Sequence, residues 1–307
     1  MFGHSFERSR EAFSKSTPGR SFPELWFEIP LLGDPWFDLH VLTSREDIGP
    51  EDKGDPHSCG GYDRIFAWFS GEESARQLAI SWDLNAGDKP TSGIQLLQRR
   101  KDIKAACGFL EIAGRGSAAA SYGTFTDNIP DEWFACYLGV FPGRPGHNLR
   151  VECIPDDDLQ KLYAKDPALL TDHLQKAGVK DLNEIVPFCR ELADTPFGFE
   201  LQFDVKADGI PGDTMGASLR FGVGKTGKSY PPFEMAGPAG ELMKRLEDRG
   251  LADERWRRLD ELSFAHKLSR EGESLTLYCA PVFVKVRFRK GEAFDAKAYL
   301  MAGALDK

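Results

Sequence analysis

Residues 199–229 read FELQFDVKADGIPGDTMGASLRFGVGKTGKS. The segment carries two signals that exclude each other. Its end, Gly222 to Ser229, fits the phosphate-loop pattern G-x-x-x-x-G-K-[ST] letter for letter. That pattern works only where a buried parallel strand enters the loop and a helix starts at the Lys-Ser. The body of the segment is two alternating apolar–polar runs joined by ADGIPGD, the pattern of an antiparallel hairpin. Beyond Ser229 come Tyr230-Pro231-Pro232. Successive prolines supply no N–H donors and push the preceding residue out of the helical region. The phosphate-loop reading therefore fails on both sides, and no nucleotide is expected.

The same hairpin layout recurs. Strand pairs fall at about 24–43, 77–99, 133–154, 198–223 and 275–301, each closed by a Gly/Pro/Asp turn such as LLGDP or FPGRPGHN. Helical patterns lie between the pairs: YDRIFAWFSGEE, KDIKAACGFLEIAG, DDDLQKLYAKDPALLTDHLQKAG with DLNEIVPFCRELAD, and AGELMKRLEDRG with DERWRRLDELSFAHKL. No low-complexity linker divides the 307 residues, so one domain spanning 1–307 is expected.

Ten strands with helices outside them predict an α+β protein built on a closed ten-stranded antiparallel barrel of five hairpins, because closure removes the sheet edges. Alternation then sorts the side chains. Phe199, Leu201, Phe203 and Val205 share one face, with Glu200, Gln202 and Asp204 opposite. Val282, Val284, Val286 and Phe288 alternate with Phe283, Lys285, Arg287 and Arg289. The amphipathic helices need an apolar surface to cover, and the apolar strand faces are the only large one. The polar faces must then line a lumen. The alternative is an open antiparallel sheet whose polar face meets water.

A net charge of −9 argues against a nucleic-acid partner. The six cysteines show neither C-x-x-C nor Cys/His ligand spacing and read as free thiols. The opening MFGHSFERSREAF lacks an apolar signal core and no 18-residue apolar run exists, so a cytoplasmic protein with no membrane partner is expected. Pro155-Asp156-Asp157-Asp158 reads as the acidic first turn of a helix.

The pattern resembles the soluble aromatic and peptide prenyltransferases of the αββα, or prenyltransferase-barrel, type. The closing hairpin VFVKVRFRKGEAFDAKAYLMAG and the first hairpin ELWFEIPLLGDPWFDLHVLT carry the resemblance. It implies a prenyl diphosphate as co-substrate and an aromatic small molecule or a peptide side chain as acceptor. It further implies diphosphate binding by Lys297 and a shield for the allylic cation at Tyr299, Glu28 as the catalytic base, and Asp38 as a ligand if magnesium is used. Arg150 and Arg220 fall on strands that carry phosphate-binding cations in that family. Strand parity adds Lys285 and Arg287 to the diphosphate set, and Tyr137, Trp26 and Trp36 to the shield. A barrel that carries an acidic small molecule without chemistry is the alternative function.

Overall fold

The computed structural model describes residues 24–34, 36–45, 61–84, 91–98, 102–142, 149–220, 237–270 and 273–306. The Gly222–Ser229 motif and Cys59 lie outside them.

The alternating hairpins form β1 (Glu24–Pro30), β2 (Asp38–Ser44), β3 (Ala75–Asp83), β4 (Thr91–Gln98), β5 (Trp133–Val140), β6 (Leu149–Pro155), β7 (Gly198–Val205) and β8 (Pro211–Arg220). The chain ends in β9 (Phe264–Arg270), β10 (Glu273–Arg289) and β11 (Glu292–Asp306). Neighbours pair antiparallel in sequence order from β1 to β8. β8 then pairs with β10, β10 with β11, and β11 with β1. The ring therefore closes on ten strands. Its last contact sets Glu28 of β1 opposite Tyr299 of β11, while Glu28 also faces Asp38 of β2.

The helices lie outside: α1 (Gly61–Gly71), α2 (Ile103–Ile112), α3 (Ala119–Asn128), α4 (Asp157–Lys165), α5 (Pro167–Lys176), α6 (Ile185–Ala193) and α7 (Gly237–Asp248). Their apolar stripes cover the outward strand faces. Leu149, Val151, Phe199, Phe203, Val284, Val286 and Phe288 are all 0–1 % exposed in one core with Phe109, Leu174, Phe188 and Leu242. Polar anchors fix the layer. The Trp133 indole N–H donates to the Tyr163 hydroxyl (2.7 Å), which sits 2.7 Å from His173 Nδ1, tying α4 and α5 to β5. Asp156 caps α4 by accepting the Leu159 N–H, and Asp157 and Asp158 fill its first turn, as the acidic run suggests.

Three local expectations need correction. The stretch 253–268 is not a helix. It forms short 3-10 turns at Glu254–Arg258 and Asp260–Leu262, then β9. β10 is 17 residues long, and among the described residues only its Phe283–Arg289 half pairs with β8. β9 covers the edge left at Glu273–Cys279, and a ladder of backbone bonds outweighs a helical side-chain period. Asp166-Pro167 splits the long helix after β6 into α4 and α5, with Asp166 capping the second. α3 was not expected: AASYGTFTDN carries only a weak apolar stripe. No described helix is long and apolar enough to cross a membrane.

Candidate active site

The inward strand faces enclose a lumen of two joined compartments. The polar one carries four cations, Arg150, Lys285, Arg287 and Lys297, and among the described residues Glu28 is its one carboxylate. The other is walled by Trp26, Tyr137, Phe283 and Tyr299 and carries the carboxylates Glu28, Glu152 and Glu200. Glu28, Arg150, Gln202, Lys285 and Tyr299 belong to both and form the passage between them.

Glu28 is the most heavily engaged group there. It accepts hydrogen bonds from the Lys297 ammonium and the Tyr299 hydroxyl, and His40 Nε2 lies 3.5 Å away. Burial alone would raise its carboxyl pKa; Lys297, then His40, outweigh burial and hold it well below the ordinary carboxylate range. The Tyr299 phenol is pushed up by burial and by the charge of Glu28, so it stays a donor. Gln95 Nε2 donates to Ser81 Oγ (2.6 Å), which sits 2.7 Å from His40 Nδ1. The Ser81 hydroxyl can then donate to Nδ1, which leaves the His40 proton on Nε2, facing Glu28.

The other lumen cations are also paired. Arg150 grips Asp204 with two bonds (2.8 and 3.3 Å), and the two residues are cross-strand partners. Its guanidinium stacks 4.9 Å from the Phe141 ring centre. That ring fills the space a Cβ at Gly93 or Gly139 would need, which is why both positions are glycine. Lys285 lies 3.4 Å from Glu152 and 4.7 Å from the Tyr299 ring centre; Arg287 lies 3.3 Å from Asp295. Lys297 sits 4.9 Å from the Trp36 ring centre. Trp26 packs on Phe283 at 5.1 Å, and burial pushes the Tyr137 phenol well up.

Of the residues expected from the sequence, Glu28, Arg150, Lys285, Arg287, Lys297, Tyr137, Tyr299 and Trp26 line the lumen. Trp36 reaches it through Lys297. Arg220 lines neither compartment: its side chain is 39 % exposed and approaches Glu200 at 3.9 Å. The acids Glu152 and Glu200, together with His40 and Phe283, were not picked out as site residues, although their parity already turned them inward.

Asp38 also lines neither compartment. It is buried, accepts the Leu84 N–H at 2.9 Å, and its pKa is pushed up to about 8 by burial and by the charges of Glu28 and Asp83. Among the described residues no three His, Cys, Asp or Glu side chains converge as a metal site requires. Asp38 therefore stands as a single buried carboxyl beside Glu28 and Asp83, outside both lumen compartments. A stability test follows. The unfolded chain loses the Asp38 proton near pH 4, whereas the folded chain keeps it to about pH 8. The native state binds the extra proton, so wild-type stability falls as pH rises between those values. Asp38→Asn mimics the protonated form, and its melting temperature should gain on wild type steadily from pH 5 to pH 8. A deficit that grows with pH would show an ionised carboxylate.

No protein-family model and no curated protein matches the chain. Solved structures do. A 5-dimethylallyl tryptophan synthase from Streptomyces coelicolor, in complex with DMASPP and Trp, aligns with a TM-score of 0.51 at 12% identity, covering 98% of this chain and 88% of that one. A 6-dimethylallyltryptophan synthase from Micromonospora olivasterospora, also with DMASPP and Trp, aligns with a TM-score of 0.50 at 13% identity, covering 90% and 81%. Ten antiparallel strands closed through β10, β11 and β1, helices outside and a charged lumen inside give this chain the prenyltransferase-barrel fold.

Proposed function

We propose that the protein is a prenyltransferase that moves an allylic group from its diphosphate onto an aromatic acceptor, either a small molecule or an aromatic side chain of a peptide. The observation that carries this reading is the division of the lumen into a tetracationic end and an aromatic end with Glu28 in the passage. Arg150, Lys285, Arg287 and Lys297 hold the diphosphate, Arg by its bidentate fork and Lys as a point charge. The allylic C–O bond breaks and its electron pair leaves with the diphosphate, where fixed cations in a shielded lumen stabilise the growing charge. The allyl cation lies against the faces of Tyr299, Tyr137 and Trp26, which attract it and keep water away. The acceptor ring forms the new bond to carbon, and Glu28 takes the proton the acceptor gives up.

In the free protein Lys297 holds Glu28 in its charged, weakly basic form. A diphosphate that draws Lys297 away leaves Glu28 to burial, which raises its basicity as the substrate arrives. The two proteins of like fold hold DMASPP and Trp, which supports the pairing of an allylic diphosphate with an aromatic acceptor. A carrier of acidic small molecules would also use four cations, but it has no need of an aromatic wall beside a carboxylate.

The test is incubation with dimethylallyl, geranyl and farnesyl diphosphates against a panel of phenols, indoles and aromatic peptides, read by mass. Products heavier by one prenyl group are expected. Tight diphosphate binding with no product in any combination would turn the reading to the carrier.

A further inference from the structure

We infer that Arg289, stacked with Arg287 on the Phe294 ring, forms an outer station for diphosphate, by which allylic diphosphate enters the polar end of the lumen and inorganic diphosphate leaves it. The identity of the anion rests on the prenyl-transfer reading above. The station itself rests on the order of side chains along β10.

Phe283, Lys285, Arg287 and Arg289 share one face of β10, and their pairing with β8 runs without a shift from Phe283 opposite Arg220 to Arg289 opposite Thr214. Successive members of such a face stand about 7 Å apart. Phe283 and Lys285 line the aromatic compartment; Lys285 and Arg287 line the polar one. Arg289 is the next step in that direction, past the polar compartment and away from the aromatic end. Exposure rises along the row: the Lys285 side chain is 8 % exposed, that of Arg287 29 %, and Arg289 lies in solvent.

A bulge equips this end of the barrel. Arg287 pairs with Asp295 and Phe288 with Ala293, which leaves Phe294 as the extra residue of β11. Bulges re-aim side chains. This one sets the Phe294 ring 5.0 Å from the Arg287 guanidinium and 4.4 Å from that of Arg289. The ring is 37 % exposed, and its place there holds two like charges side by side. The adjoining turn is fixed to its neighbours. Lys290 N–H donates to the Asp213 carbonyl (2.9 Å), Glu184 N–H to the Gly291 carbonyl (3.2 Å) and Ala293 N–H to the Glu184 carboxylate (2.8 Å).

Charge supplies the reason for a station. Arg150, Lys285, Arg287 and Lys297 each already hold a carboxylate. Arg289 stands opposite Glu292 on β11, yet no ion pair joins them, and among the described residues Arg289 has no carboxylate partner. The chain carries a net charge of −9, so a diphosphate approaches against the general field. An exposed guanidinium one step from Arg287 receives it first, and Arg287 then takes it over from Asp295. The same steps in reverse carry the product anion out.

The experiment measures association and dissociation rates of inorganic pyrophosphate and of DMASPP by stopped-flow tryptophan fluorescence, with Trp36 beside Lys297 as the reporter, and Kd by calorimetry. A station on the path lowers the barrier in both directions. Arg289→Ala should therefore slow association and dissociation together, each by roughly tenfold, with Kd within about twofold of wild type. Arg289→Lys should keep most of both rates, and Phe294→Ala should slow both in part. The gap between wild type and Arg289→Ala should close at about 1 M salt, where charges are screened beyond about 3 Å. Unchanged rates in Arg289→Ala overturn the inference, as does faster dissociation with a weaker Kd, which would make Arg289 an ordinary binding contact. Absence of pyrophosphate and DMASPP binding by wild type overturns it too. Transfer is read separately by mass. Prenylated product with unaltered anion rates in Arg289→Ala sinks the station and leaves prenyl transfer standing; slowed rates with no product from any acceptor do the reverse.

Discussion

Lys297→Ala is expected to lower turnover by about 30- to 1,000-fold, a loss on the order of 2–4 kcal/mol of transition-state stabilisation. The magnitude follows from where the ammonium sits. β11 brings it into the polar compartment, buried, between the Glu28 carboxylate and the Trp36 ring. In so enclosed a place a fixed positive charge meets a departing diphosphate with little screening, and the contact strengthens as the C–O bond breaks. Lys297→Arg should recover part of the rate, because the charge is kept while its geometry changes. The exchange has a second signature. Without Lys297, burial governs Glu28, whose pKa climbs, so the acidic limb of the pH–rate profile should move to higher pH. A Lys297→Ala protein with wild-type turnover and an unmoved limb would remove Lys297 from the chemistry.

Glu28→Gln should cut turnover by about 10²- to 10⁴-fold, the share that a positioned base supplies. The amide keeps the shape and can still accept from Tyr299, but it takes up no proton. Diphosphate should bind at least as tightly as to wild type, because the carboxylate that competes for Lys297 is gone. Lower kcat with unchanged or tighter diphosphate binding separates this outcome from a damaged lumen. Full activity on every accepted acceptor would exclude Glu28 as the base.

The barrel could be read from the sequence because each hairpin states its own parity. Val284 and Val286 alternating with Phe283, Lys285 and Arg287 is a local pattern, and the structure keeps it: the two valines lie in the core and the others face inward, whereas Val282, at a shift in the β10–β11 register, packs in a small cluster with Tyr278, Tyr299 and Met301. The closing hairpin likewise brings Lys297 and Tyr299 beside Glu28. The pairing of charges could not be read. Glu152 and Lys285 are 133 residues apart and meet across the lumen, with β7 and β8 between their strands. That contact depends on strand stagger around the whole ring, which no single hairpin encodes. Arg220 shows the same limit: it shares the polar face of β8 with Ser218, yet its side chain is 39 % exposed and lines neither compartment. β9 was misread because its edge partner is the far half of an unusually long strand, a tertiary circumstance that overrides a helix-like period.

Under the prenyl-transfer reading, the ion pairs of the lumen bear on the end of a catalytic cycle as much as on its start. Lys297 with Glu28, Arg150 with Asp204, Lys285 with Glu152 and Arg287 with Asp295 mean that, among the described residues, each of the four polar-end cations already has a carboxylate partner, with which an entering anion must exchange. Those carboxylates are tethered to the strands and stay beside the cations they have given up, at an effective concentration that no bulk ion matches. When a product anion loosens, they recapture their partners. Much of the charge attraction that draws a ligand in is thus returned as it departs, so strong binding of a highly charged group need not become slow release.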